Sequence, residues 1–254
     1  MKILITGTNG YIGKSLTKKL KDKYKIVALT RQLVDLTNYQ DVHNFFKDKY
    51  FDVVIHCAVV GGSRLKEDTW NDLDTNLIMY YNLLQCRSHF NKFIHLGSGA
   101  EIFLKETPYG LSKHIIRKSV LEKNNFFNIR IFGVFDENEL DTRFIKANIT
   151  RYINKQSIII HQNNFMDFIY MPDFIKIVEH YINNNGPKEI DCTYKKTYNM
   201  LGIANIINNL TNNKVEIKIL SSKIENYSGQ QCTLPINFIG LEEGIKNIFI
   251  YLNK

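Results

Sequence analysis

The chain opens Met1-Lys2-Ile3-Leu4-Ile5-Thr6-Gly7-Thr8-Asn9-Gly10-Tyr11-Ile12-Gly13, a short apolar run followed at once by three glycines three positions apart. Ile12, Leu16 and Leu20 then recur at helical spacing. Strand, tight turn and helix in that order restrict the chain to α/β architectures whose first crossover starts at the N-terminus. Such a turn lets backbone N–H groups approach a pyrophosphate seated at the helix N-terminus. The GxxGxxG spacing is looser than GxGxxG, and it is the position after a first strand that gives it weight. Gly7, Asn9, Gly10, Tyr11, Ile12 and Gly13 are therefore expected to line a dinucleotide site, the plain alternative being a tight turn and nothing more.

The alternation continues downstream. Ile26–Leu29, Val53–His56, Phe93–Leu96 and Asn128–Phe132 read as buried strands, with helices near Thr69–Arg87 and Pro108–Lys123. The expected fold is a Rossmann-type doubly wound parallel sheet with a small mixed α/β C-terminal substrate lobe. The expected boundary puts a cofactor-binding domain at 1–155 and the lobe at 156–254, with 166–183 packing back on the first domain. In the lobe, Ser157–His161 and Phe165–Tyr170 read as short strands, Pro172–Asn183 as a helix with proline in its first turn, and Leu241–Tyr251 as a last helix. Trp70 is expected to anchor a helix start.

With 254 residues, 44% hydrophobic and 23% charged, the chain is long enough to bury a substantial core. No apolar run is long enough to span a bilayer, and no secretory signal precedes the first strand, so a cytoplasmic protein with no membrane partner is expected. Four separated cysteines without a CxxC pair suit reduced, structural thiols, and no metal site is expected. The net charge of +8 admits anionic partners, but the lysines are scattered through a chain rich in Lys, Asn and Ile. No aromatic-and-basic stripe suggests single-stranded nucleic acid, which is not expected as a partner.

The second strand ends Leu29-Thr30-Arg31, where a carboxylate would bind a ribose 2′-hydroxyl and a cation suits a 2′-phosphate. Arg31 therefore favours NADP(H), with NAD(H) the other option. About eighty residues on, Tyr109-Gly110-Leu111-Ser112-Lys113 puts a tyrosine and a lysine on one helix face. A free tyrosine ionises near ~10, and a neighbouring ammonium brings the phenol toward a working range. Lys113 also has the reach to hydrogen-bond a cofactor ribose. Ser98, at the end of the preceding strand, is positioned to hold a carbonyl oxygen and stabilise a developing alkoxide.

Taken with His56-Cys57-Ala58, Asn76, Arg130-Ile131-Phe132-Gly133, Asp167-Phe168-Ile169-Tyr170-Met171-Pro172-Asp173 and Leu241-Glu242-Glu243-Gly244-Ile245, these motifs make the chain resemble the extended short-chain dehydrogenase/reductases, the NAD-dependent epimerase/dehydratase family of nucleotide-sugar enzymes. Thr30-Arg31, Val34-Asp35-Leu36 and Val60-Gly61-Gly62 are most similar to the GDP-L-fucose synthase-like branch of 4-keto-sugar reductases. The resemblance implies Tyr109 as proton donor, Lys113 as its partner and Ser98 as carbonyl anchor. It adds Asp35, Leu36, Cys57 and Ala58 to the cofactor site, and a nucleotide-diphospho-sugar as substrate. It also implies a homodimer packed through the helices near Thr69–Arg87 and Pro108–Lys123.

Some positions depart from that branch. Ala100 replaces its epimerisation cysteine, Arg143 aligns with its histidine, and Met166 stands where an arginine often precedes the Asp-Phe element. Gly99-Ala100 replaces the Asp-Glu pair of sugar dehydratases, and the Ser98–Tyr109 segment is short. Arg64 and Arg143 are candidate contacts to the substrate. The function expected is NADP(H)-dependent reduction of a 4-keto nucleotide-sugar. The alternatives are a C4 epimerase with retained NAD, or a non-catalytic cofactor-sensing or RNA-binding protein on the same fold.

Overall fold

The computed structural model describes residues 1–63 and 66–254. Packing divides them into two compact units, 1–131 with 178–190, and 132–177 with 191–254. The chain changes unit at Ile131/Phe132 rather than after residue 155, and 178–190 return to the first unit. Long-range bonds account for that return. Lys92, buried on a strand, donates its ammonium to Tyr181 O and Asn184 O (both 2.7 Å), and Arg130 binds Glu189. Carbonyls at a helix end lack intrahelical partners, and a lysine there satisfies them.

The first unit is built on a six-stranded sheet ordered β2-β1-β3-β4-β5-β9. Its strands are β1 (Lys2–Thr6), β2 (Lys25–Leu29), β3 (Phe51–His56), β4 (Phe90–Ser98), β5 (Phe126–Ile131) and β9 (Glu189–Asp191, Asp191 lying in the second unit). The pairs β1–β2, β1–β3, β3–β4 and β4–β5 are parallel. Parallel strands buried on both faces read as unbroken apolar runs, which is why Ile3-Leu4-Ile5 and Val53-Val54-Ile55 are fully legible as strands. The chain winds outward from β1 to β2, then restarts at β3, so a topological switch point lies at the C-terminal ends of β1 and β3.

The helices between strands are α1 (Tyr11–Leu20), α2 (Tyr39–Phe46), α3 (Trp70–Gln85), α4 (Ala100–Phe103) and α5 (Pro108–Leu121). Their apolar stripes close a core that includes Leu4, Val42, Phe46, Val54, Leu83, Ile116 and a stacked Phe93–Phe126 pair at 4.9 Å. Trp70 opens α3 but is 63% exposed, so burial of its ring does not anchor the helix start. A capping box formed by Thr69 and Asp72 fixes that helix start instead.

The second unit contains β6 (Val134–Phe135), α6 (Phe144–Ile153), β7 (Ile158–Gln162), β8 (Ile169–Tyr170), the first part of α7 (Met171–Asn183), α8 (Met200–Asn208), β10 (Ile217–Ser221) and α9 (Leu241–Leu252). Its parallel pairs are β6–β8 and β7–β10. Phe135, Ile145, Ile149, Ile203 and Ile245 belong to its own separate core. The expected strand Phe165–Tyr170 shortens to β8, with isolated bridges at Phe165 and Met166. Met166 to Tyr170 are all buried, so the two-residue alternation of a half-exposed strand is absent.

Candidate active site

The glycine loop lies at the switch point. Gly7 has φ +65°, and a Cβ there would stand 2.7 Å from Ala58 Cα, so the turn after β1 admits only glycine against the chain leaving β3. Thr6 draws those two strand ends together: its hydroxyl oxygen accepts from Cys57 N and Ala58 N, both at 3.1 Å, and lies 3.0 Å from His56 Nδ1. Gly10 caps α1 without a side-chain bond, and no carboxylate sits in that first turn. The helix N-terminus therefore keeps its positive end open to an anion. Beside it, the buried Thr8 hydroxyl has no partner among the described residues. An orphaned hydroxyl, a tight glycine turn and an uncapped helix start fit the pyrophosphate of a dinucleotide. Burial pushes the Cys57 thiol up to about 12, against the opposing charge of Lys113, which disfavours the thiolate.

Past the end of β2, Arg31 is largely exposed and lies 3.4 Å from Asp35, a carboxylate held below its ordinary range by the backbone N–H and hydroxyl of Thr37. Asn9 of the glycine loop donates to Gln32 at 3.2 Å, which brings the first two loops together. Leu36 points into the core, where its carbonyl receives Asn82 Nδ2.

Tyr109 and Lys113 stand one turn apart on α5, whose start is fixed by Pro108 and by Thr107 Oγ1 accepting from Gly110 N at 3.1 Å. The Lys113 ammonium lies 5.9 Å from the centre of the Tyr109 ring and donates to Leu96 O at 2.6 Å. Lys113 is 5% exposed, and burial pulls its ammonium down to about 8 despite the opposing influence of Glu101. The Tyr109 ring rests against Gly62 (φ +69°), where a Cβ would stand 2.7 Å from the ring. Asp68 holds that loop through Gly62 N (2.7 Å). Asn76 clamps Val60 through both its N–H and its carbonyl and also reaches Ser112 Oγ, which donates to Tyr109 O.

Ser98 ends β4. Its hydroxyl accepts from Ala100 N at 3.2 Å, and its own N–H donates to Glu101 Oε2 at 3.2 Å. Glu101 is fully buried in a four-charge cluster with Arg130, Arg117 and Glu189. No motif in the sequence marks Glu101. Its signal is Arg130, a guanidinium inside the apolar run Phe126–Phe132, which demands a buried counter-charge. Thr6, Gln32 and Ser112 bond to Cys57, Asn9 and Asn76, far from them in sequence, and Asp68 binds Gly62 N across a loop, so spacing marks none of the four.

Ser98, Tyr109, Lys113, the glycine loop, Arg31, Cys57 and Ala58 thus all lie in the first unit, while Arg143 is the N-cap residue of α6 in the second. Arg64 lies outside the described residues. Among those residues no His, Cys, Asp and Glu cluster suited to a metal occurs, and no helix is long and apolar enough to cross a membrane.

Protein CapI of Staphylococcus aureus is 25% identical over 96% of this chain and 88% of its own length. Two solved structures share the fold. GDP-mannoheptose C4 reductase from Campylobacter jejuni, with NADP bound, has TM-score 0.84 and 17% identity, covering 100% of this chain and 98% of that one. A UDP-glucuronic acid 4-epimerase variant from Bacillus cereus, in complex with UDP-4-deoxy-4-fluoro-glucuronic acid and NAD, has TM-score 0.79 and 18% identity, covering 99% of each. The family model matches residues 3–200, from the first strand through the glycine loop and the Tyr109–Lys113 turn to the start of α8. The chain belongs to the NAD dependent epimerase/dehydratase family.

Proposed function

We propose that the protein is an NADP(H)-dependent oxidoreductase of a nucleotide-linked sugar, most simply a 4-keto-sugar reductase. The observation that carries this reading is the Tyr109–Lys113 pair, with a buried ammonium 5.9 Å from the phenol ring, in the unit that holds the glycine loop. Gly7, Thr8, Asn9, Gly10, Tyr11, Ile12 and Gly13 would hold the pyrophosphate, with Cys57 and Ala58 along the wall. Arg31 would face the 2′-phosphate, and Asp35 and Leu36 would shape the loop behind it. When bound, the nicotinamide supplies the hydride that reduces a sugar ketone.

The chain's own residues would do the remainder. Ser98 donates a hydrogen bond to the ketone oxygen and follows it as negative charge develops. Tyr109 delivers its phenolic proton to that oxygen. Lys113, charged below about pH 8, stabilises the phenolate left behind and offers a hydrogen bond to the ribose. Arg143 and Arg64 remain candidates for the substrate diphosphate. In the same reading the protein is a cytoplasmic homodimer.

The test is NADPH consumption with a panel of GDP-, dTDP-, CDP- and UDP-linked 4-keto-sugars. Tyr109→Phe should lower kcat by ~10²–10⁴-fold while cofactor affinity stays nearly unchanged. Activity close to wild type in that variant would remove Tyr109 as the acid. Sugar inversion with tightly retained NAD and no net NADPH consumption would replace the reductase by the epimerase.

A further inference from the structure

Resting on the reading of Ser98 and Lys113 just given, we propose that Glu101 is a positioning residue for both: its buried carboxylate fixes the end of β4, which carries Ser98 and receives the Lys113 ammonium. Three consecutive residues of that strand end are involved. Leu96 O receives the Lys113 ammonium at 2.6 Å, and Ser98 N donates to Glu101 Oε2 at 3.2 Å. Between them, a Cβ on Gly97 would stand 2.6 Å from Asn128 Oδ1 and 2.7 Å from Glu101 Oε2, so the carboxylate and the amide that holds it together occupy the space above the strand that any other side chain would take. The other carboxylate oxygen is held by Arg130 Nε (2.6 Å) and Asn128 Nδ2 (2.8 Å), both on the neighbouring strand β5. From α5, His114 Nδ1 lies 3.0 Å from Glu101 O, so the helix that presents Tyr109 and Lys113 is joined to the same short turn.

This arrangement costs desolvation of a carboxylate and two guanidiniums, and it is balanced in charge: Glu101 and Glu189 against Arg117 and Arg130. A core of plain hydrophobic residues would close the same space at lower cost. What the ions add is direction, since only an acceptor at Oε2 can hold the Ser98 N–H and with it the line of the Ser98 side chain.

Glu101 also acts on Lys113 by charge. The groups facing Lys113 are Glu101 from α4, Cys57 and His56 from the end of β3, His95 from β4 and Tyr109 from its own helix. Burial holds both histidines far below their ordinary range and the Cys57 thiol up at about 12; burial raises the Glu101 carboxyl as well, against the Arg130 guanidinium 2.6 Å away, and the charge that this ion pair sustains on Glu101 favours the ammonium. Those facing Glu101 are Arg130 from β5 and Arg117 and His114 from α5.

Two measurements on the whole chain test the proposal. In Glu101→Gln, amide exchange of a peptide spanning residues 97–103 should accelerate in the protein without cofactor. In turnover assays, kcat should fall about 10- to 100-fold with the KM for NADPH little changed. The alkaline limb should move about one pH unit lower, because Lys113 loses its neighbouring charge. Glu101→Asp, which keeps the charge on a shorter arm, should restore the limb but not the full kcat. Should Glu101→Gln alone fail to fold, Glu101→Gln with Arg130→Gln leaves no uncompensated charge and carries the same expectations. Unchanged exchange, or an unchanged pH limb in an enzyme whose turnover still requires Tyr109, overturns the proposal. Turnover indifferent to Tyr109→Phe in the wild-type background overturns the functional reading instead.

Discussion

Tyr109 is braced by Gly62, and that brace makes one variant informative. Gly62 touches the ring, so Gly62→Ala must either displace the phenol or distort a backbone already at φ +69°. The positive φ alone costs about 1 kcal/mol for alanine. Gly62→Ala should therefore lower kcat through the misplaced ring and lower the melting temperature by a few degrees. A variant with the melting loss but unaltered kcat would show that the ring position is set elsewhere. Arg31 offers a cleaner reading because it is exposed and its ion pair with Asp35 is long, at 3.4 Å. Its removal should leave the fold untouched and weaken NADPH binding by about tenfold or more while sparing NADH, as expected for loss of a charge-assisted contact to phosphate. Equal loss for both cofactors would place the 2′-phosphate away from Arg31.

The second unit shows how buried carboxylates hold segments that have no regular structure. Asp167 Oδ2 accepts from Gly229 N at 2.8 Å, Asp191 Oδ2 from Gln230 N at 2.7 Å, and Thr193 Oγ1 donates to Gln230 O at 2.6 Å. Burial pushes the Asp167 carboxyl up to about 6, against the Gly229 hydrogen bond and reinforced by Asp191. The folded state then binds a proton more tightly than the unfolded chain between roughly pH 4 and 6. Stability contributed by that proton is present below the unfolded value, near 3.8, and is lost as pH rises through about 6. Asp167→Asn keeps an acceptor for Gly229 N and removes the charge next to Asp191. It should raise the melting temperature at pH 7.5 and flatten its fall between pH 4 and 6. A lower melting temperature across that whole range would mean that the ionised Asp167 is the stabilising form.

At the scale of the whole molecule, the sheet and the Tyr109–Lys113 turn are legible because their signals are local. Ile3-Leu4-Ile5 and Val53-Val54-Ile55 are unbroken apolar runs, and Tyr109 and Lys113 announce themselves by spacing. The return of 178–190 to the first unit rests on Lys92–Asn184 and Arg130–Glu189, and Glu101, which accepts from Ser98 N, is itself held by Asn128 and Arg130 on β5. Periodicity carries no trace of such contacts. The division into two units has a consequence that ligand binding can read. The residues proposed for the cofactor all belong to the first unit, so NADPH should stabilise that unit directly. At 100-fold excess over Kd the gain is about 2.7 kcal/mol. Amide exchange with NADPH but no sugar should slow around residues 7–14, 57–62 and 96–113. In the second unit, the α8 and α9 segments should change less, because none of the residues proposed for the cofactor lies in them. Protection strongest in α8 and α9, or no protection of the glycine loop, would move the cofactor away from the switch point between β1 and β3.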